Sequence, residues 1–568
     1  MNEMMFGDNR RPEFRARDQA RRQQGVRHRQ RRAPLIPQPG DTPTLTVTTE
    51  APVSIAAVEC RLIAPETRVF PFVRVATGWD HLNWSYTQTW QTTLPSYPAG
   101  TVVRYAIQAR AANGETLEDP ALADSDGIHA YLVGAGPAPA WAQDAIVYQI
   151  FVDRFNPGTG RVWNPVTSLR DVYGGTLPGI TEKLDYIAGL GCNCLWLTPI
   201  FPDEHAHGYH ATDYFAINPR LGTLDDARAL LKAAHLRGIR VLLDFVANHV
   251  GSAHPAFRRA SSDDHSEEHD WFFWRDWPED YVSFFDVRDL PKVNTDAPGA
   301  RDYLLRSVDF WLGEAGFDGL RLDHANGPTH DFWTALRARV EAIKPDAWLF
   351  GEIVLSPDQQ LEYAGQLHGT LDFMLAQALR DTFGFGTLPL SAFDAFLNQH
   401  EAFFPADFSR PSFLDNHDMD RFLWIAGNDV RKLKLAAVCQ FTLSGPPILY
   451  CGAELGLSQQ HGKDEPDGVG MEECRQPMNW EHYDAALLAF FRDLIHLRRA
   501  HPALQHGARR TLHVDDAAGT YVYARYDGKE TVLVALNLSD TAQTITLTGD
   551  YARTIAVEAM GSLILTGG

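Results

Sequence analysis

Residues 316–327 read Gly316-Phe317-Asp318-Gly319-Leu320-Arg321-Leu322-Asp323-His324-Ala325-Asn326-Gly327. Phe317, Leu320 and Leu322 are apolar, the run is short, and helical patterns flank it on both sides, which predicts a buried parallel strand. Side chains alternate along a strand, so Arg321 and Asp323 share a face two residues apart. A guanidinium beside a buried carboxylate keeps that carboxylate ionised at neutral pH. An ionised, oriented aspartate at the carboxyl end of a strand serves either as a nucleophile or as half of a structural ion pair. This stretch alone does not choose between the two.

Three other stretches have the same construction, an apolar strand running into titratable residues. They are Asp244-Phe245-Val246-Ala247-Asn248-His249 after Val241-Leu242-Leu243, then Trp348-Leu349-Phe350-Gly351-Glu352-Ile353, then Phe413-Leu414-Asp415-Asn416-His417-Asp418. Together and in this order, the four resemble the signature regions of the α-amylase superfamily of glycoside hydrolases. The similarity is greatest to the branch of cyclomaltodextrinase, neopullulanase and maltogenic amylase. It covers residues 140–500 firmly and the flanking segments loosely.

Composition bounds the alternatives. A chain of 568 residues has room for one large α/β barrel with flanking β-domains. The formal charge of −21 argues against nucleic acid or an anionic membrane as partner of the folded body and suits a neutral substrate. The first 33 residues carry ten arginines and few large apolar residues, so residues 1–39 are expected to form a disordered basic arm, or an extension upstream of the true start. No apolar signal region and no bilayer-length run is present. Cys192 and Cys194 would share a face roughly 6.6 Å apart with parallel Cβ vectors, poor disulfide geometry. With Cys60, Cys439, Cys451 and Cys474 they are read as buried thiols in a reducing compartment, which makes a cytoplasmic location the expectation.

Residues 40–133 alternate in short apolar and polar segments punctuated by Pro and Gly, the pattern of an N-terminal β-sandwich. Trp79, Trp84 and Trp90 in it are more often core or interface residues than sugar platforms. After the linker Gly134-Ala135-Gly136-Pro137-Ala138-Pro139-Ala140, strand and helix patterns alternate over residues 141–504, the periodicity of a parallel (β/α)8 TIM barrel in an α/β fold. Thr223 to Gly238 reads as one of its helices, capped at both named ends. An insertion over 250–298 follows the third strand and lacks regular periodicity; it holds the cluster Trp271-Phe272-Phe273-Trp274-Arg275-Asp276-Trp277, either a subsite lining or a small core. Residues 505–568 return to short alternating strands, a C-terminal antiparallel β-sandwich.

The resemblance implies roles at the barrel mouth. Asp323 matches the family nucleophile, Glu352 the general acid/base, which must hold a proton at neutral pH, and Asp418 the carboxylate that binds hydroxyls of the cleaved sugar. Cleavage with retention requires such a flanking pair of carboxyl groups. Arg321 then orients the nucleophile, His249 and His417 hold the same sugar, and Tyr209 stacks on it with His207 close by. Asp213 resembles a buried structural aspartate of that loop. Leu290-Pro291-Lys292-Val293-Asn294 is similar to a motif that marks the neopullulanase branch. Departures stand at His210, at His324 and Gly327 (Val and Glu in the branch), and at Cys451 and Ala453. The missing Glu at 327 is tied to acceptor binding. Asn248 resembles a calcium-binding asparagine, but the loop Asn156-Pro157-Gly158-Thr159-Gly160-Arg161 lacks the acidic run that builds the other calcium site of the branch. No cofactor and no obligatory metal is therefore expected, with structural calcium left open.

The implied activity is retaining hydrolysis of α-1,4-glucosidic bonds in cyclic or short malto-oligosaccharides. A hydrolase of a cyclic or branched α-1,6-containing malto-oligosaccharide, a glucosyltransferase, or a non-catalytic carbohydrate-binding relative are the alternatives. The expected partner is an oligosaccharide, with neither nucleic acid nor membrane. In that branch the N-terminal domain often helps form a dimer, so a homodimer is the implied assembly.

Overall fold

The computed structural model describes residues 25–50, 54–81, 84–119 and 126–567. They divide into two compact units, one from the described residues within 1–137, 246–314 and 322–369, the other from those within 138–245, 315–321 and 370–568.

In the first unit the amino-terminal strands are β1 (Gly25–Arg27), β2 (Arg32–Ala33), β3 (Thr44–Glu50), β4 (Ile55–Ala64), β5 (Arg68–Pro71), β6 (Val73–Asp80), β7 (Ser85–Thr93), β8 (Val102–Ala111), β9 (Thr116–Glu118) and β10 (Ile128–Leu132). They form two sheets, one ordered β1-β3-β7-β6 with β2 beside β3, the other β10-β8-β4-β5 with β9 beside β8. Alternate residues point inward: Leu45 and Val47 from β3, Val58, Cys60 and Leu62 from β4, and Val103, Tyr105 and Ile107 from β8 share one core. That common core makes the pair a β-sandwich. Trp90 joins the core and donates its Nε1–H to Thr49 Oγ1 at 3.0 Å. Trp79 and Trp84 remain exposed and meet each other and Tyr86 edge to face.

The expected disordered arm needs correction. Residues 1–24 lie outside the described residues, but residues 25–39 are structured. Arg27 pairs with Glu50 at 2.9 Å, Arg29 with Glu362 and Asp358 at 2.8 and 3.0 Å, and buried Arg32 donates to the Ala364 carbonyl at 3.0 Å. Arginine-rich composition reads as solvated chain only until such partners are known. Here each guanidinium finds an acceptor, and β1 and β2 add to the edge of β3.

The barrel strands follow, with a hairpin among them: β11 (Val147–Ile150), β12 (Cys194–Leu197), β13 (Arg240–Val246), β14 (Trp274–Asp276), β15 (Asp280–Tyr281), β16 (Gly319–Asp323), β17 (Trp348–Gly351), β18 (Gly369–Thr370) and β19 (Ile448–Tyr450). In the second unit β19, β11, β12 and β13 run side by side in parallel. The start of β16 joins them through the Asp318 N–H, which donates to the Val241 carbonyl at 2.8 Å. In the first unit the end of β16 neighbours β17 through Glu352 N–H to Leu322 O at 2.8 Å, and His368 N–H to Leu349 O at 3.0 Å leads on to β18. Residues 409–412 take the remaining place: Thr370 N–H donates to Ser409 O at 3.0 Å, and Ile448 N–H to Ser412 O at 2.7 Å. Eight parallel positions thus close a (β/α)8 barrel. The seventh is held by few backbone bonds, and the Gln440 amide reinforces it by donating to Ser412 O and Ile448 O at 2.9 and 3.0 Å.

The helix Leu224–His235 lies where the 3.6-residue spacing puts it. Thr223 and Asp226 form a reciprocal capping box, and Ala227, Leu230, Leu231 and Ala234 make the buried face. The insertion is more ordered than its lack of periodicity suggests. It contains the helix Pro255–Ser262 and the β14–β15 hairpin, and Phe257 packs against Phe272, Trp274 and Tyr281 at ring-centroid distances of 5.0, 5.8 and 4.9 Å. That cluster is a small core. The carboxyl-terminal strands β20 (Ala508–Asp515), β21 (Thr520–Tyr526), β22 (Thr531–Asn537), β23 (Gln543–Leu547), β24 (Arg553–Val557) and β25 (Gly561–Gly567) form a sheet ordered β20-β21-β22-β25 and a hairpin β23-β24, with Val522, Leu533, Ile545 and Val557 in one core.

Candidate active site

Asp323, Glu352 and His249 belong to the first unit. Asp323 ends β16 and Glu352 follows β17, so the two carboxylates stand at the carboxyl ends of neighbouring strands. The chain turns sharply after Asp323. His324 adopts φ +39°, a left-handed conformation that non-glycine residues seldom occupy. The turn aims the His324 N–H at Glu352 Oε2, 3.0 Å away, and the Ala325 N–H at the Glu352 carbonyl, 2.9 Å away. Behind it, Trp333 donates its indole N–H to the Ala325 carbonyl at 2.8 Å. Glu352 is therefore held by the segment that carries Asp323.

Aromatic rings pack against His249 and His324. Phe284 stacks on His249 at 4.7 Å and meets the His324 ring edge-on at 4.7 Å, with Phe285 next to His324 at 5.6 Å. Phe285 is 76% exposed and itself lies at φ +47°. An apolar ring so displayed is suited to stack on a sugar face. Sequence reasoning pointed to the Trp271–Trp277 cluster and missed these two phenylalanines. The signal was there, since they are the apolar pair closest to Leu290-Pro291-Lys292-Val293-Asn294.

Gly327 has a packing explanation. A Cβ built there would overlap the side-chain oxygen of Asn248, so the glycine makes room for Asn248 beside the turn. The Asn248 amide in turn lies 3.2 Å from His249 Nδ1. In the second unit, beside the 156–161 loop, Glu182 accepts the Thr159 N–H at 2.8 Å.

Arg321, Tyr209, His207, His417 and Asp418 belong to the second unit, where Asp244 joins three of the side chains around it. Asp244, fully buried on β13, receives Arg321 Nη1 at 2.8 and 3.0 Å, the Trp196 indole N–H at 3.0 Å and the Tyr209 hydroxyl at 2.9 Å. Arg321 thus pairs with Asp244, a residue the sequence reading quoted but gave no role. His417 continues the chain of contacts. The Gln149 amide donates to its Nδ1 at 2.7 Å, so Nε2 carries the proton and faces Tyr209 Oη at 2.5 Å and Asp418 Oδ2 at 3.0 Å. Arg475, from far along the chain, donates to Asp418 Oδ1 at 2.8 Å. Burial works to raise the Asp418 carboxyl, but His417 and then Arg475 outweigh it and hold the group well below the usual carboxylate range. The carboxylate form of Asp418 is thus the favoured one.

The 203–213 loop corrects one assignment. Asp213 is exposed, and the buried structural aspartate is Asp203. Asp203 accepts from the backbone N–H of His205 at 2.8 Å and of His210 at 3.0 Å, and from His205 Nδ1 at 3.1 Å. Burial opposes its charge, yet these bonds and nearby His207 pull its carboxyl down to about 2. His207 lies near Tyr209, whose backbone N–H donates to His207 Nδ1 at 3.0 Å. Burial, with Arg475 nearby, keeps the His207 imidazole neutral.

Comparison with known proteins agrees with this geometry. Residues 149–489 match the family model described as α-amylase catalytic domain, and residues 516–568 the cyclo-malto-dextrinase C-terminal domain. "Alpha-amylase 2" of Dictyoglomus thermophilum is 37% identical over 416 residues, 73% of each chain. A solved cyclomaltodextrinase superposes with a TM-score of 0.72 at 28% identity, covering 96% of this chain and 99% of its own. The cyclic α-maltosyl-(1→6)-maltose hydrolase of Arthrobacter globiformis gives 0.70 at 30% identity, over 76% of this chain and 100% of its own. With more than half its length inside the catalytic-domain match, the chain belongs to the α-amylase family of glycoside hydrolases.

Proposed function

We propose that the protein hydrolyses α-glucosidic bonds of cyclic or short malto-oligosaccharides by double displacement, with Asp323 as nucleophile and Glu352 as general acid/base. The observation that carries this reading is the coupling of the two carboxylates on neighbouring strand ends, Glu352 Oε2 being held 3.0 Å from the N–H that follows Asp323. In the first step Asp323 forms a bond to the anomeric carbon while the glycosidic C–O bond breaks. Glu352 gives its proton to the departing oxygen. In the second step Glu352, now a carboxylate, takes a proton from water, which attacks the anomeric carbon and releases Asp323. Asp418, kept anionic by His417 and Arg475, accepts sugar hydroxyl bonds that strengthen as positive charge develops on the ring. Arg321 and Tyr209, both tied to Asp244, position the nucleophile strand and supply a ring for stacking. His249 and His417 complete the grip on the same sugar, with His207 beside Tyr209.

A second reading keeps the reaction and changes the linkage. A cyclic α-1,6-containing maltosyl dimer is favoured by Gly327, where the branch carries an acceptor-side glutamate, and by the likeness to a hydrolase of that ring. Product time courses on β-cyclodextrin, pullulan, maltotetraose and the cyclic maltosyl dimer, each alone, separate the two. Fast opening of β-cyclodextrin supports the first reading, and opening of the α-1,6-containing ring alone supports the second. No reaction on any of the four rejects both.

The same proposal places the protein in the cytoplasm as a homodimer. Six buried cysteines, none in a disulfide, support a reducing compartment. Among the described residues no helix is long and apolar enough to cross a membrane. An exposed apolar face of the N-terminal sandwich, with Val73, Val75, Trp79, Trp84 and Tyr86, supports docking of a second copy. Sedimentation as a monomer at micromolar concentration would reject the dimer.

A further inference from the structure

The loop that carries Tyr209 contains three histidines whose side chains converge. Ring centroids of His205 and His210 are 4.2 Å apart, those of His207 and His210 4.9 Å, and those of His205 and His207 5.3 Å. A ligand nitrogen from each falls within 4.8 Å of the other two. Nitrogens bound to one tetrahedral ion at 2.0–2.1 Å stand roughly 3.3 Å apart, so small ring rotations close the set. We propose that His205, His207 and His210 form a binding site for a divalent transition-metal ion of the zinc class, with water completing its coordination.

The loop is built to hold these rings without the ion. Arg220 donates to the carbonyls of Asp203, Glu204 and His205, the latter two at 2.9 Å, and Asn218 donates to the Asp203 carbonyl at 2.9 Å. The Asp203 carboxylate binds the backbone at both ends of the histidine run. It also fixes a tautomer. A carboxylate only accepts, so His205 Nδ1 is the donor and Nε2 is left with its lone pair. Carboxylate, imidazole and ion in series is the usual arrangement around protein-bound zinc.

His207 has one proton to move. At present its Nδ1 accepts from the Tyr209 N–H, which puts the ring proton on Nε2. Ligation through Nε2 shifts that proton to Nδ1, which then turns from the Tyr209 N–H toward Asp203 Oδ2, 3.7 Å away. Nearby Arg475 does not oppose a cation with its full charge, because Glu472 and Asp418 pair with it at 2.7 and 2.8 Å. The all-nitrogen set selects zinc, cobalt, nickel or copper over calcium and magnesium. No step of the hydrolytic reading passes through the ion, although His207 belongs to both sets.

The test is a titration of chelator-stripped, full-length protein with Co2+, followed by Zn2+. The expected result is uptake of one equivalent of Co2+ with the d–d absorption of a four-coordinate nitrogen site, displaced by Zn2+. His205→Ala and His210→Ala should each weaken binding by at least about tenfold, a lower bound for loss of a ligand. His205 has its side chain half in solvent, so its replacement probes ligation and not folding. Equal binding by wild type and both variants, or no uptake by the wild type, overturns the proposal.

Discussion

At the scale of single residues, two carboxylates in one family motif set are given different work by different surroundings. Asp323 ends its strand in a buried position, whereas Glu352 is approached by the His324 N–H. Asp323→Asn keeps the shape and removes the nucleophile, so turnover should fall by several orders of magnitude with substrate still bound, measured as kcat against Kd. Glu352→Gln should slow maltotetraose far more than an activated aryl α-glucoside, whose leaving group needs little protonation. Equal losses on both substrates would mean that Glu352 does not donate the proton. These two residues were legible in the sequence because each closes an apolar strand and the order of the strands matched a known set. Asp244 was not. Its role depends on Arg321, 77 residues away, and on Tyr209 and Trp196. In the sequence, spacing brings only the near neighbour Asp323 to notice beside Arg321. Arg475 was hidden for the same reason, lying 57 residues beyond the Asp418 it pairs with.

At the scale of elements, the turn after β16 decides how the barrel mouth is furnished. Gly327 admits the Asn248 side chain, and Asn248 contacts His249, the ring on which Phe284 stacks. Gly327→Ala should therefore push Asn248 aside, costing about 1–3 kcal/mol of stability. The double variant with Asn248→Ala should recover part of that loss, and thermal melts of the single and double variants measure the recovery. Simple addition of the two penalties would show that the clash is absorbed elsewhere. The periodic elements were readable in advance: the Leu224–His235 helix has its cap and buried face where spacing required. The insertion was less so. Its order comes from Phe257, Phe272, Trp274 and Tyr281 packing across the insertion, which leaves no short-range period in the sequence.

At the scale of the whole molecule, buried histidines tie stability to pH. Burial and then neighbouring His129 push His28 down to about 3, and burial pushes His330 and His254 down to about 4. Each binds its proton more readily when unfolded, so the stability it contributes is complete above about pH 6.5 and is lost as pH falls from there toward the lowered value. By about pH 5 the loss is on the order of 2 kcal/mol for each group. Glu362, raised to about 7 by burial, acts the other way: its penalty above pH 7 is relieved as pH falls toward 4.5, which offsets one histidine. The melting temperature should therefore drop between about pH 7 and pH 5. His254→Asn, which retains an N-cap for the Pro255–Ser262 helix, should flatten that drop, whereas an unchanged slope would remove His254 from the account. The closure of the barrel bears on how the chain is made. β11 pairs with β12 on one side, but on the other it waits for β19, with Val147 set against Ile448, about 300 residues later. At a ribosomal pace of about 5–20 residues per second, that outer edge stays open for roughly 15–60 s. During that interval the nascent chain presents an apolar strand edge to whatever escorts it from the ribosome.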